Sequence, residues 1–459
     1  MITTRFAAPT LATTLAFAVA LACAAPARAQ QLSGDAAPSN APADTVTPDE
    51  AWAIHGQITN LTQRHPGFRS LYSGTNSLDA HGRTDETTDI TLFAGVRLWH
   101  GAEFWMNPEI DQGYGLSNTV GVAGFPSGEA YKIGANAPYF RVPRAFLRQV
   151  IPLGTTLENV EGSANQLGGR RASDNLTITL GKFSVVDIFD TNSYAHDPRA
   201  DFMNWSSIDA GAFDYAADAW GFTYGAAAEW TQGWWTARLG YFQLSSVPNG
   251  KIVRPRFNQY SLVSEFEARH DWLGHPGKIK LLAMANRASM GNYRDAVALG
   301  LASGATPDIA LVRRTATRPG FALNAEQEIT ADLGVFARAS INDGDKEAYE
   351  FTEINKSLSA GLSLKGSAWG RKDDTIGLAA VVNGLSGPAQ DYFRAGGIGI
   401  LIGDGSLNYG PEQIIETYYS MKLGRYVNVT FDYQHIANPA YNRDRGPVSV
   451  YGLRLHSEF

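Results

Sequence analysis

An all-β fold, a transmembrane antiparallel β-barrel of sixteen strands with short periplasmic turns and long outer loops, is predicted by three features of this 459-residue sequence. The chain opens with an export signal. It continues from Trp52 in segments whose apolar residues recur at period two, and it stops on an alternating segment with a terminal Phe459. A strand with one face in hydrocarbon and the other in water needs a closed barrel, because an open edge in lipid leaves backbone groups without partners.

At the start, Arg5 precedes an apolar stretch from Leu11 to Ala25, and Ala27-Arg28-Ala29 puts small residues where a signal peptidase reads. Cleavage after Ala29 is predicted, giving a signal peptide over residues 1–29. Lipoprotein processing at Cys23 fits less well, since Leu21 stands one position from where a lipobox wants it. Cys23 is the single cysteine, so the mature chain has no thiol for catalysis or metal binding. Residues 30–50, rich in Pro, Ala and Asp without periodicity, read as a flexible periplasmic tail. Residues 51–459 carry no composition shift and read as one barrel domain.

Signal removal takes Arg5 and Arg28, leaving 36 of the 38 basic residues against 45 acidic ones and a formal charge of −9. That balance excludes nucleic acid as a partner. After the signal no apolar run approaches the roughly 20 residues of a helical span. The 44% apolar residues, 11% aromatics and 47 glycines are instead dispersed, as a transmembrane barrel disperses them.

Walking the chain gives sixteen candidate strands, many of them with an outward parity. The clearest are Ile90, Leu92, Ala94, Val96, Leu98; then Leu176, Ile178, Leu180; then Trp220, Phe222, Tyr224, Ala226, Ala228, Trp230; and Trp235, Ala237, Leu239, Tyr241. Later ones run along Tyr260, Leu262, Phe266; along Leu333 to Ile341; Leu358 to Leu364; Ile376 to Val382; Val427 to Tyr433; and Tyr451, Leu453, Leu455. Their opposite faces carry Thr223, Glu229, Arg238, Glu265, Glu267, Arg338, Asn342, Asp432, Gln434 and Arg454. Polar inside and apolar outside is the pattern of a water-filled barrel, whereas a soluble sandwich buries its apolar side.

Connection lengths agree. Short links fall near 100–101, 231–233, 273–277, 331–332, 366–373 and 424, alternating with long ones at 63–85, 114–138, 184–217, 245–257, 289–319, 344–354, 384–410 and 437–446. One long exception, residues 152–173, lies on the turn side. Trp52, Trp99, Trp220, Trp230, Trp235, Tyr418 and Tyr419 sit near strand ends or on outward parity, as interface girdles would.

Three stretches resemble the carbohydrate-selective porin family (OprB-like). They are GKFSVVDIFDTNSYAHDPRADFMNW at 181–205, FDYAADAWGFTYGAAAEW at 213–230 with Trp235, Arg238 and Gly240, and a tail of YGPEQIIETYYSMKL, DYQHIANPAYNRDRGP and LRLHSEF over 409–459. The resemblance covers essentially all of 51–459. It implies an outer-membrane channel of a Gram-negative bacterium that passes sugars by diffusion without energy coupling. The loops at 63–85, 289–319 and 344–354 match poorly, and loops decide which sugar passes.

A sugar presents hydroxyls and apolar C–H faces, so a selective constriction wants charged or amide groups beside aromatic rings. Three segments supply them. On 102–113, Glu103, Trp105, Asn107, Glu109 and Asp111 share the water-facing parity. On 139–150, Arg144, Phe146 and Arg148 share a parity, with Arg141 at the outer end, and their guanidinium forks suit vicinal hydroxyls. The segment 184–217 is expected to fold into the lumen, with His196, Asp197 and Arg199 shaping it, Arg199 pairing with Asp197 or Asp201, and Asn204 and Trp205 reaching the sugar.

Enzyme readings fail on the residues. Gly397-Ile398-Gly399 followed by Gly403 does not make a dinucleotide turn, no G-x-S-x-G elbow occurs, and the nine dispersed histidines give no metal spacing, so no cofactor or metal is expected. An outer-membrane phospholipase-like barrel would need Ser and His together on an outward rim, and nothing in the sequence juxtaposes them. The sequence therefore points to an outer-membrane porin for glucose-like monosaccharides or related polyols. A general or anion-preferring diffusion porin is the main alternative, and a structural or adhesive barrel a lesser one. The expected partners are outer-membrane lipid, small sugar solutes and the barrel assembly machinery, whose signal the terminal Phe459 resembles, in a monomer or a homotrimer.

Overall fold

The structure, a computed structural model, describes residues 49–130 and 134–459. The expected signal peptide, its expected cleavage point and all of residues 30–50 except Asp49 and Glu50 lie outside the described residues. Among the described residues, sixteen strands close into an antiparallel barrel in which the last pairs with the first. The first four are β1 (Trp52–His65), β2 (Arg83–Trp99), β3 (Ala102–Tyr114) and β4 (Gly134–Pro152). A small separate hairpin follows, β5 (Leu157–Val160) with β6 (Gly169–Ala172). The barrel resumes with β7 (Asn175–Phe183), β8 (Thr223–Gln232), β9 (Trp235–Gln243), β10 (Tyr260–Trp272), β11 (His275–Met290) and β12 (Arg314–Thr330). It closes with β13 (Leu333–Asn342), β14 (Lys356–Gly366), β15 (Arg371–Gly384), β16 (Glu412–Leu423), β17 (Val427–Ala437) and β18 (Val448–Glu458). Short helices α1 (Trp205–Ile208), α2 (Tyr293–Ser303) and α3 (Gly387–Arg394) lie in the long loops. The strand number and the alternation of short turns with long loops are those the sequence predicts.

Burial follows the period-two pattern. Ile90, Leu92, Val96 and Leu98 are exposed on β2 while Thr87, Asp89 and Thr91, on the opposite parity, are buried, and β18 exposes Tyr451, Leu453 and Leu455 while burying Arg454 and His456. Exposure here is to the hydrocarbon a barrel must meet, and every strand edge is consumed by closure, which lipid demands at several kcal/mol per unpaired group, to order of magnitude.

Closure involves the last residue. The Phe459 carbonyl accepts from Gly56 N at 2.8 Å, and its own N donates to Gly56 O at 3.0 Å. On the outer face of β1, between Ile54 and Ile58, Gly56 leaves a gap that the Phe459 ring fills, since a Cβ there would meet that ring. Deleting Phe459 is expected to lower the amount of assembled barrel in the outer membrane, measured as the heat-modifiable band. Normal abundance would show that closure does not need the terminal ring.

Two expectations are corrected. Trp220 and Phe222 do not continue the outward row of β8, because a tight turn interrupts it: Asp218 N donates to Phe222 O at 2.7 Å and Gly221 takes φ +93°. The turn rotates Phe222 into a buried position. Tyr418 also faces inward, with its ring 4.9 Å from that of Phe202, and leaves Tyr419 as the outward member of the pair.

Candidate functional site

The lumen is organised by the segment between β7 and β8, residues 184–222, which is held against the inner wall of the barrel by side chains of several strands. Asp190 N donates to Glu265 of β10 at 2.8 Å, and its carboxylate receives Asn324 of β12 at 2.7 Å and Arg338 of β13 at 3.3 Å. Arg338 also donates to the carbonyls of Ala195 (2.7 Å) and Ser207 (3.0 Å). Further round, Arg454 of β18 binds the carbonyls of Pro198, Ala200 and Asp201, and Glu416 of β16 accepts from Met203 N and Asn204 N. Backbone groups that a loop normally satisfies with water are satisfied here by wall side chains, the arrangement that buried backbone requires.

Outer loops complete the filling. Trp205 packs between Phe125 (centroids 5.0 Å) and Phe351 (4.6 Å), so residues from three loops meet in one apolar cluster. Glu353, in the β13–β14 loop, accepts from Ile400 N and Leu401 N of the β15–β16 loop. Burial pushes its carboxyl up from 4.5 to about 7. The bonds from Ile400 N and Leu401 N favour the ionised form and oppose the rise, but burial wins, so the segment keeps its full stability with Glu353 protonated, below pH 4.5, and loses part of it as pH rises through about 7. Amide protection around Ile400, measured relative to the intrinsic exchange rate at each pH, is therefore expected to fall from pH 5 to pH 8, and Glu353→Gln is expected to flatten the change.

The opposite sector of the lumen, β3 and β4, keeps water contact. Side-chain exposure is 26% for Arg148, 15% for Arg144, 14% for Arg141, and 28% for Asp187 in the loop facing them. Both Arg141 and Arg144 point inward although their numbers differ by three. A β-bulge explains it: Asn107 pairs with Arg144 and Glu109 with Arg141, so Val142 and Pro143 oppose the single Pro108 and the alternation resets.

Each arginine has an acid and a ring. Arg141 bridges Glu109 and Asp111 and lies over Phe222 (5.2 Å) and Trp220 (5.5 Å). Arg144 grips Asp187 with two bonds, 2.6 and 2.8 Å, and lies over Phe222 at 4.8 Å. Arg148 lies over Phe146 at 5.2 Å, with Glu103 at 3.8 Å. The geometry offers fixed N–H donors next to apolar ring surface, with acids close enough to cancel the local charge.

The other sequence-predicted residues fall outside this wet row. Trp105 and Asn107 share its parity yet are buried, Trp105 stacking on His55 (6.4 Å) and donating to Glu103 at 3.0 Å. Asn204 caps α1 and bonds Gln434 at 3.0 Å, and both Asn204 and Trp205 are buried, so neither offers a face to the water path. Arg199 does not pair its guanidinium with Asp197 or Asp201. It reaches Glu129 at 2.8 Å and lies 3.7 Å from Asp89, while its backbone N bonds the Asp197 carboxylate at 2.9 Å. His196 N in turn donates to Asp201 at 3.2 Å. Sequence reasoning missed Trp220 and Phe222 as ring partners of the arginines, and Gly221 between them was the available signal. Among the described residues no group of His, Cys, Asp and Glu is placed to hold a metal ion, and no helix is long and apolar enough to cross a membrane.

Residues 75–459 match the family described as carbohydrate-selective porin, OprB family. Among solved structures, the high-pH structure of Pseudomonas putida OprB aligns with TM-score 0.68 at 15% identity, covering 89% of this chain and 94% of that one. The outer membrane channel DcaP of Acinetobacter baumannii aligns with TM-score 0.48 at 12% identity over 89% and 97% of the two chains. Salmonella typhi OmpF, in a complex with daunomycin, gives 0.47 at 9% identity over 89% and 97%. At such identities the likeness to OprB speaks for the fold. No curated protein sequence matches.

Proposed function

The chain belongs to the OprB family of carbohydrate-selective porins, and from that premise we propose that it carries glucose-like monosaccharides or related polyols into the periplasm by facilitated diffusion. Members of such a family are outer-membrane channels and not enzymes. The observation that supports the finer reading is the wet row on β4, in which Arg144 and Arg148 stand over Phe222 and Phe146. A pyranose laid on such a row meets ring surface with its C–H face and guanidinium donors with its hydroxyls. Binding must stay near millimolar, about −4 kcal/mol, for the solute to leave.

An anion-preferring channel finds less support. Arg141, Arg144 and Arg148 face Glu109, Asp111, Asp187 and Glu103, so the row carries no excess positive charge. In this reading Arg144 and Arg148 contact sugar, and Arg141 with Glu109 and Asp111 sets the outer end of the row. Glu103 orients Arg148, Trp105 and Asn107 pack behind it, and Asn204, Trp205, His196, Asp197 and Arg199 hold the inner loop in place. Phe459 is the signal read by the barrel assembly machinery after signal-peptide removal, in a monomer or a homotrimer. No cofactor or metal is needed.

Swelling of proteoliposomes tests the substrate class. Glucose and a polyol such as sorbitol are expected to enter faster than gluconate, which is similar in size but charged. Faster entry of gluconate would favour the anion-preferring channel.

A further inference from the structure

The β4–β7 connection departs from the short turns on its side of the barrel, and its tip reaches into the lumen. Asn165 takes φ +61° in a tight bend closed by Ser163 and Gln166, which exchange backbone bonds of 2.9 and 3.1 Å. The bend presents the Asn165 carbonyl to Arg148, whose Nη1 donates to it at 2.7 Å. Two residues on, Leu167 is buried in the same apolar cluster as Ala53, Phe93, Trp105 and Phe146, and its N lies 3.3 Å from the Glu103 carboxylate.

The outer side of the tip is fixed as well. Arg97 of β2 donates to Gly168 O at 3.0 Å and to Glu50 O at 2.8 Å. The Glu50 carboxylate accepts from Gly168 N at 2.7 Å, and Asp49 accepts from Arg170 N at 3.2 Å. Residues 165–168 are thus held between the barrel wall and the chain just before β1. The tip stays put although it belongs to no barrel strand.

The geometry points to this tip as a selectivity lip at the periplasmic mouth, holding Arg148 against Phe146 as a second sugar station, an assignment that rests on the β4 row being the sugar track. Left to itself, a guanidinium at a pore mouth samples many rotamers in water. Here a carbonyl on one side, a carboxylate on the other and a ring beneath leave it one pose with N–H donors still facing water, which is the preorganisation that weak binding needs. Arg144 and Arg148 are four residues apart, about 13 Å along a strand, more than the span of one monosaccharide ring. Two weak stations in series let a solute be captured and released without a deep trap.

The test is single-channel recording in planar bilayers with glucose on one side at a time, comparing the parent chain with Leu167→Asn and Glu50→Ala. Leu167→Asn unseats the tip from within, and Glu50→Ala loosens it from outside the barrel, so at least one variant is expected to retain the heat-modifiable barrel. With glucose on the periplasmic side, the half-blocking concentration is expected to rise threefold or more and the open conductance to increase. With glucose on the outer side, the half-blocking concentration is expected to change by less than twofold. Equal changes from both sides, or none in a folded variant, would overturn the lip. Absence of glucose block in the parent chain would instead remove the sugar track itself.

Discussion

Replacing Arg144 and Arg148 together with alanine is expected to raise the half-saturating glucose concentration roughly tenfold or more, since a charge-assisted hydrogen bond contributes about 1.5–3 kcal/mol and 1.4 kcal/mol is a factor of ten. Ion selectivity is expected to move in a definite direction. The substitutions leave Asp187 and Glu103 without their guanidinium partners, so the lumen becomes more cation-selective. Uptake at low glucose concentration and the reversal potential in a salt gradient check the two effects separately. Both arginines keep water contact and neither carries a loop carbonyl network like that of Arg338, so the barrel is expected to fold. Unchanged uptake and selectivity would remove these arginines from the constriction.

Arg338→Ala is expected to produce the largest change in pore size. Arg338 and Asp190 are both buried, and removing one member of a buried pair costs about 3–5 kcal/mol because the other is left uncompensated. The same substitution strips donors from the carbonyls of Ala195 and Ser207, so the inner loop loses attachments at both its ascending and returning limbs. Open conductance is expected to rise severalfold, with noisy gating and loss of sugar block, while the closed ladder keeps the barrel heat-modifiable. Proteolysis between 190 and 210 is expected to become possible. A quiet channel of parental conductance would show that the remaining anchors, Glu416 and Arg454 among them, hold the loop unaided.

The barrel was legible because its physics is repetitive. Each spanning strand must put apolar residues toward lipid at every second position, and rows such as Ile90 to Leu98 do so over enough residues to fix both the face and the strand. Loop lengths carried the topology, down to the one long periplasmic turn. Periodicity states which face a side chain is on and not what lies against that face. Trp105 and Asn107 share the inward parity of β3 yet are buried, Trp105 beside His55 and in one apolar cluster with Leu167 of the turn tip. Asn204 and Trp205 are expected at the water path if the inner loop reaches the pore axis, but the cluster that encloses Trp205 brings in Phe125, 80 residues before it, and Phe351, 146 residues after it.

Where the period breaks, sequence reasoning went astray in identifiable ways. Gly221 breaks the outward row two residues before β8 begins, which turns Phe222 from a lipid anchor into a partner of Arg141 and Arg144. The bulge opposite Pro108 brings Arg141 and Arg144 to one side, although strict alternation would separate them. Tyr418-Tyr419 gave two adjacent aromatics with no local clue to which faced out. The sequence offers Arg199 the nearby acids Asp197 and Asp201, yet its guanidinium reaches Glu129 and Asp89 in other segments. Local spacing identifies nearby acids. Only the fold decides which of them a long side chain reaches.

The most direct test of the central claim is single-channel conductance of the refolded mature protein, titrated with glucose on both sides and, separately, with a small organic anion. A sugar track on β4 predicts saturable block by glucose at millimolar concentration and little effect of the anion. Conductance indifferent to glucose, or blocked by the anion alone, would contradict it and reduce Arg144 and Arg148 to salt-bridged barrel wall.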